Sequence, residues 1–115
     1  MTTQALLNQK AEIPINGCSF YRDAVKTIHE GMQIRVIPEP DNPHDPNALA
    51  VVTMQGQKLG HIPAKLAYRI VKETEKPTAF IGKISDVHLY WGEPSGADIV
   101  LTAVIPEGSR LAHLA

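Results

Sequence analysis

The chain has 115 residues, enough for one domain with little room for a second. Apolar side chains make up 43% and charged ones 20%, ordinary values that exclude a disordered chain. With 11 Lys plus Arg against 12 Asp plus Glu the net charge is −1. That excludes a strongly basic nucleic-acid binder, so any such binding needs a local basic patch, or stacking and end recognition.

No apolar run approaches the roughly 18 residues of a membrane span. The first ten residues lack the charged start and long apolar centre of a secretory signal. Cys18, the single cysteine, permits no internal disulfide and reads as a small buried side chain. These features predict a cytoplasmic protein with no membrane attachment.

In chain order, residues 1–11 read as a frayed lead-in. The first strand is expected over residues 12–20, with Ile13 and Ile15 inward and Pro14 confining it to a sheet edge or strand start. Ala24, Val25 and Ile28 fit one or two helical turns over residues 22–30, closed by Gly31. Residues 32–37 alternate as a strand. Residues 38–47, PEPDNPHDPN, form a stiff, shaped loop, because prolines forbid regular structure while Asp and Asn favour local turns. Residues 48–54 and 57–62 are strands joined by a tight turn at Gln55-Gly56.

Pro63 opens a helix whose buried stripe is Leu66, Ala67, Ile70 and Val71. Lys76-Pro77 ends it. Residues 78–90 are a long strand bent at Gly82, residues 92–97 a hairpin loop, and residues 98–105 the last strand. Residues 107–115 are a tail, which leaves a domain over residues 12–106. About six strands cannot all be covered by two short helices. The expected fold is therefore mainly β, a small barrel related to the oligonucleotide-binding fold.

The stretch IRVIPEPDNPHDPNALAVVTMQGQKLGHIPAKLAYRIV, residues 34–71, resembles the HIRAN domain signature. An apolar strand leads into Glu-Pro-x-Asn-Pro-x-Asp-x-Asn-Ala, a second apolar strand and a turn follow, and Gly60-His61-Ile62-Pro63 precedes a helix. Upstream, Ile15 to Tyr21 resembles the family's first strand. The similarity covers residues 13–105, and a stand-alone HIRAN domain is the expectation. The resemblance implies a modified oligonucleotide-binding barrel that holds the 3′ end of single-stranded DNA, and work alongside a helicase or another DNA-processing protein. It also implies site residues. Phe20 stacks on a terminal base with Tyr21 beside it, Asn42, His44 and Asp45 belong to the pocket loop, and His61 faces the backbone. Two positions depart from the family pattern: His44 stands where an aromatic is expected and Ser19 where a basic residue is expected. Both lower the affinity the resemblance implies.

The same residues carry chemistry of their own. An aromatic ring stacks on any base, worth roughly 1–3 kcal/mol per base. Adjacent in a strand, Phe20 and Tyr21 point to opposite faces, so one can stack while the other packs inward. Asp45 can accept a hydrogen bond from a ribose 3′-hydroxyl, and Asn42 can donate and accept. The competing reading confines Asn42, Asp45 and Asn47 to loop backbone groups, and for Asn47 it is preferred. His61 is either a phosphate donor or a satisfied structural residue. Lys65, Arg69 and Lys72 share one helix face and are possible phosphate contacts, though such residues are usually a solvated face. Trp91 reads as packed at a rim.

Two other functions compete with DNA binding. Glu39, Asp41, His44, Asp45 and His61 have metal-ligand chemistry, as a metal-dependent nuclease would need. Their spacing matches no metal motif, and no nucleophile elbow or phosphate-cradling glycine loop is present. The expectation is a non-enzyme without metal or cofactor. The stronger rival is a protein-interaction adaptor that uses an exposed strand edge and lacks significant DNA binding, which near-zero net charge favours.

Overall fold

The computed structural model of the protein describes residues 2–113. Among the described residues there are six strands and three α-helices: α1 (Thr3–Gln9), β1 (Ile13–Pro14), α2 (Arg22–Val25), β2 (Gln33–Pro38), β3 (Leu49–Thr53), β4 (Lys58–His61), α3 (Ala64–Thr74), β5 (Phe80–Tyr90) and β6 (Glu93–Val104). Single 3-10 turns lie at Cys18–Phe20 and Arg110–Ala112. The strands form one antiparallel sheet in the order β1-β6-β5-β2-β3-β4.

The sheet curls into a half-barrel whose two edges meet. Asn16, just past β1, bridges His61 of β4: Asn16 N–H donates to His61 O at 2.8 Å and His61 N–H returns to Asn16 O at 2.9 Å. Closure pairs edge groups that would otherwise be left open. It requires Gly60, because a Cβ there would sit 2.3 Å from Asn16 O, and φ is +153°. Ile34, Val36, Leu49, Val51, Leu59, Phe80, Ile84, Ile99 and Leu101 fill the concave side, and α1, α2 and α3 cap it. The expected mainly β, oligonucleotide-binding-like architecture is therefore observed, with three short α-helices in place of two.

Several boundaries differ from the sequence reading. Within the lead-in expected over residues 1–11, Thr3–Gln9 is a docked helix. Thr2 Oγ1 caps it by accepting from Ala5 N–H at 3.0 Å, Leu6 is buried, and Thr3 N–H donates to the Glu73 carboxylate at 2.6 Å. The first strand shrinks to two residues, because the chain turns at Gly17 into the 3-10 turn that carries Phe20. α2 is one turn long, and Gly31 N–H bonds Ile84 O at 2.8 Å instead of closing a helix. The loop expected at residues 92–97 is only the Trp91-Gly92 corner of a long β5–β6 hairpin. There φ is +54° at Trp91 and +79° at Gly92, the sign pair of a two-residue hairpin turn. Trp91 is 88% exposed, so the rim packing expected for it does not occur.

The tail is also docked. Arg35, on the outer side of β2, is 4% exposed, and its Nη1 donates to Leu111 O and His113 O, both at 2.8 Å. Beside it Ile37, Ala50, Val52, Ala79 and Ile105 form a second small core, with Ala112 packed against it. The convex face of β2 is thus covered at Arg35 and Ile37, which explains why both are buried while Gln33, on the same side, is exposed.

Candidate nucleic-acid interface

A groove of about 380 Å³ opens where the half-barrel closes. The 3-10 turn and Tyr21 form one wall, the 38–47 loop the other, and His61 with the start of α3 lies at the base. Phe20, Tyr21, Asn42, His44, Asp45 and His61, scattered over 42 positions of sequence (20 to 61), all line it. Phe20 is 84% exposed, whereas Tyr21 is half-buried and packs against the core. The division between an open ring and a packed ring therefore exists, made by the turn and not by strand alternation.

The loop is built around Glu39. Its Oε1 accepts from His61 Nε2 at 2.7 Å and from Asn42 Nδ2 at 3.1 Å, and its Oε2 pairs with the Lys58 ammonium. Since a carboxylate only accepts, His61 must carry its proton on Nε2 here. Burial pushes the Glu39 carboxyl up, but hydrogen bonds from Lys58, His61 and Asn42 outweigh it and hold the group below the usual carboxylate range. The Lys58 ammonium also stands 5.9 Å from the centroid of the Tyr21 ring, a cation–π contact that braces the opposite wall.

Asn42 turns the loop: its Oδ1 accepts from His44 N–H at 2.9 Å and Asp45 N–H at 3.1 Å. Asn42 thus lines the groove while its polar atoms serve mainly the loop. Asp45 differs. Its Oδ1 accepts from Asn47 N–H at 2.9 Å, and its Oδ2 has no hydrogen bond among the described residues. His61 spends Nε2 on Glu39, leaving Nδ1 as its remaining polar ring atom. The groove therefore offers an exposed ring on one wall, a carboxylate oxygen on the proline-stiffened wall and a fixed imidazole at its base.

Lys65 and Arg69 do not line this groove. They lie on the exposed outer face of α3 around Tyr68, and only Ala64 is shared with the groove. Glu39 is the residue that sequence reasoning missed in this role. Its partners lie 19 and 22 residues away, and only the spatial return of β4 reveals them. Among the described residues, metal-ligating atoms converge at Asp86, His88 and Asp98, all within 4.8 Å of one another on the β5–β6 hairpin. None of these three lines the groove, and the loop residues Glu39, Asp41, His44, Asp45 and His61 form no such cluster.

The half-barrel, closed at Gly60-His61 beside a proline-rich loop, defines a small β module with one groove at its seam. The HIRAN domain model matches residues 9–88, most of the chain, and the protein belongs to the HIRAN domain family. It is similar in fold to a protein from Lactobacillus plantarum, with a TM-score of 0.65 and 20% identity over 81% of this chain and 90% of that one. It is also similar to the HIRAN domain of human HLTF, with a TM-score of 0.55 and 17% identity over 79% of this chain and 73% of that one. No curated protein matches it in sequence. Among the described residues no helix is long and apolar enough to cross a membrane.

Proposed function

We propose that the chain is a non-catalytic nucleic-acid-binding module that holds the 3′ end of single-stranded DNA in the groove beside the 38–47 loop. The observation that carries this is the convergence of exposed Phe20 and the open Asp45 Oδ2 on the one groove, from its two walls. A terminal base stacks on Phe20 while Asp45 accepts the hydrogen bond of the 3′-hydroxyl. His44, exposed in the same groove, supplies a smaller stacking surface than Phe20. The proline-rich loop is ordered before binding, so little entropy is lost on closure over the strand. Membership of the HIRAN family supports nucleic acid as the ligand class, and a helicase or other DNA-processing enzyme is the natural partner of a strand-end reader.

The test is fluorescence anisotropy at low salt with a short labelled single strand, its 3′ end free or blocked by phosphate. Free-end binding that falls on blocking is the expected result. Asp45→Ala is expected to weaken free-end binding while leaving blocked-end binding unchanged. Equal loss on both strands would remove Asp45 from the role of end reader.

A second reading is a protein-interaction adaptor. The exposed Leu89, Tyr90 and Trp91 at the hairpin tip favour it, since large apolar side chains at a protruding tip suit a protein contact. It predicts no binding to either strand at any salt concentration.

A further inference from the structure

The groove does not end at Phe20. Phe20 and Tyr21 also border a second depression, which Ser19, Arg22 and Lys58 help to line. Ser19 and Arg22 in turn border a third, between α2 and the β5–β6 hairpin, where Lys26 and Tyr90 stand on its walls. The three depressions thus adjoin in series, neighbours sharing side chains, and together they make a track. Three cations lie along it, two of them without an ion pair among the described residues. Arg22 and Lys26 are four residues apart on α2 and its C-cap, a spacing that puts them on one side of the helical turn. Both are exposed, and neither is within ion-pair distance of a carboxylate among the described residues. Lys58, by contrast, is already paired with Glu39. Asp23 borders the second depression and Glu93 the third, so each also carries one carboxylate.

We infer that Arg22 and Lys26 bind the backbone phosphates of a single strand leaving the end groove, and that the track extends the site from Phe20 along α2 to Tyr90. This rests on the end-binding reading. It reconciles a net charge of −1 with a nucleic-acid ligand, because two of the chain's unpaired cations, Arg22 and Lys26, are placed where the strand exits.

The probes are two single strands with free 3′-hydroxyls, about three and about ten nucleotides long, the longer within the usual span of such folds. The proteins are the wild type, the Arg22→Ala/Lys26→Ala double variant, and the Arg22→Lys variant. The wild type is expected to bind the longer strand more tightly and with a steeper salt dependence. In the double variant the longer strand loses that advantage, the shorter strand binds as before, and Arg22→Lys behaves as the wild type. Two lost phosphate contacts lower the salt slope by about 1.4. Raising salt fourfold therefore costs the wild type about seven times more affinity than it costs the double variant. A double variant that keeps the wild-type length and salt dependence overturns the track while leaving the end groove intact. A wild type that binds neither strand overturns the end-binding reading and the track with it. The exposed positions of both side chains leave the fold unaffected, which thermal unfolding of the variants checks.

Discussion

The Glu39 carboxylate accepts a hydrogen bond from His61 Nε2 at 2.7 Å, tying the first residues of the proline-rich loop to the strand end where the half-barrel closes. One side chain thereby fixes both the loop wall and the base of the groove, since it also holds Lys58 and Asn42. The groove's shape depends on a residue that does not line it.

Replacing Glu39 by Gln removes the charge but keeps the size. Charge-assisted bonds from Lys58 and His61 are lost, and destabilisation of about 1–3 kcal/mol is expected. Because the folded-state carboxyl titrates below its unfolded value, this stabilisation is fully present above the unfolded carboxylate range of about 4.3 and is lost as pH falls through the lower folded value. Urea unfolding at pH 6 and pH 3 is therefore expected to show a large gap between wild type and Glu39→Gln at the higher pH and little at the lower. An equal gap at both would show that the carboxylate charge is not what stabilises the loop.

Gly60→Ala tests the closure. The added methyl meets Asn16 O and the Ile15 side chain, at a φ that L-residues rarely adopt. A loss of about 2–3 kcal/mol is expected in chemical denaturation. Hydrogen exchange at the Asn16 and His61 amides should accelerate more than at β5, and uniform acceleration would mean global loosening instead of an opened seam.

Phe20→Ala separates binding from folding. With its ring 84% exposed, the substitution is expected to leave the unfolding midpoint within experimental error. A stacked base lost from the groove should cost roughly 1–3 kcal/mol of single-strand affinity. Unchanged affinity would place the terminal base elsewhere.

The sequence discloses the sheet well, because the strands from Gln33 to His61 carry strong apolar runs and the Gln55-Gly56 turn is local. It discloses the groove's lining through the motif of residues 34–71 and the Ile15–Tyr21 run upstream of it. It hides two kinds of feature. Local geometry at Gly17 converts the expected first strand into a 3-10 turn, and only that turn leaves Phe20 open. Long-range pairing hides the rest. Glu39 looks like one acid among several until β4 returns beside it, and Arg35 and Ile37 on the outer side of β2 look exposed until the tail folds over them. Lys65 and Arg69 show the converse: helical spacing places them correctly on one face of α3, but spacing alone does not say that the groove lies elsewhere.

Arg35 is the clearest case of a residue whose setting only the structure gives. Its guanidinium is buried with carbonyl partners and no carboxylate among the described residues: Leu111 and His113 at Nη1, Thr53 at 3.4 Å from Nη2, and Nε without a partner. A buried cation held by backbone carbonyls is costly to leave buried without them. Truncation after Ser109 removes the two short acceptors and is expected to destabilise the domain by about 1–3 kcal/mol. In an Arg35→Met background the same truncation strands no charge, so it should cost less. The coupling energy of this double-mutant cycle, read from urea unfolding of the four proteins, measures the Arg35–tail contact. A coupling near zero would mean that the tail is held by Ala112 packing on Ile37 and Ile105, with the guanidinium solvated once the tail departs.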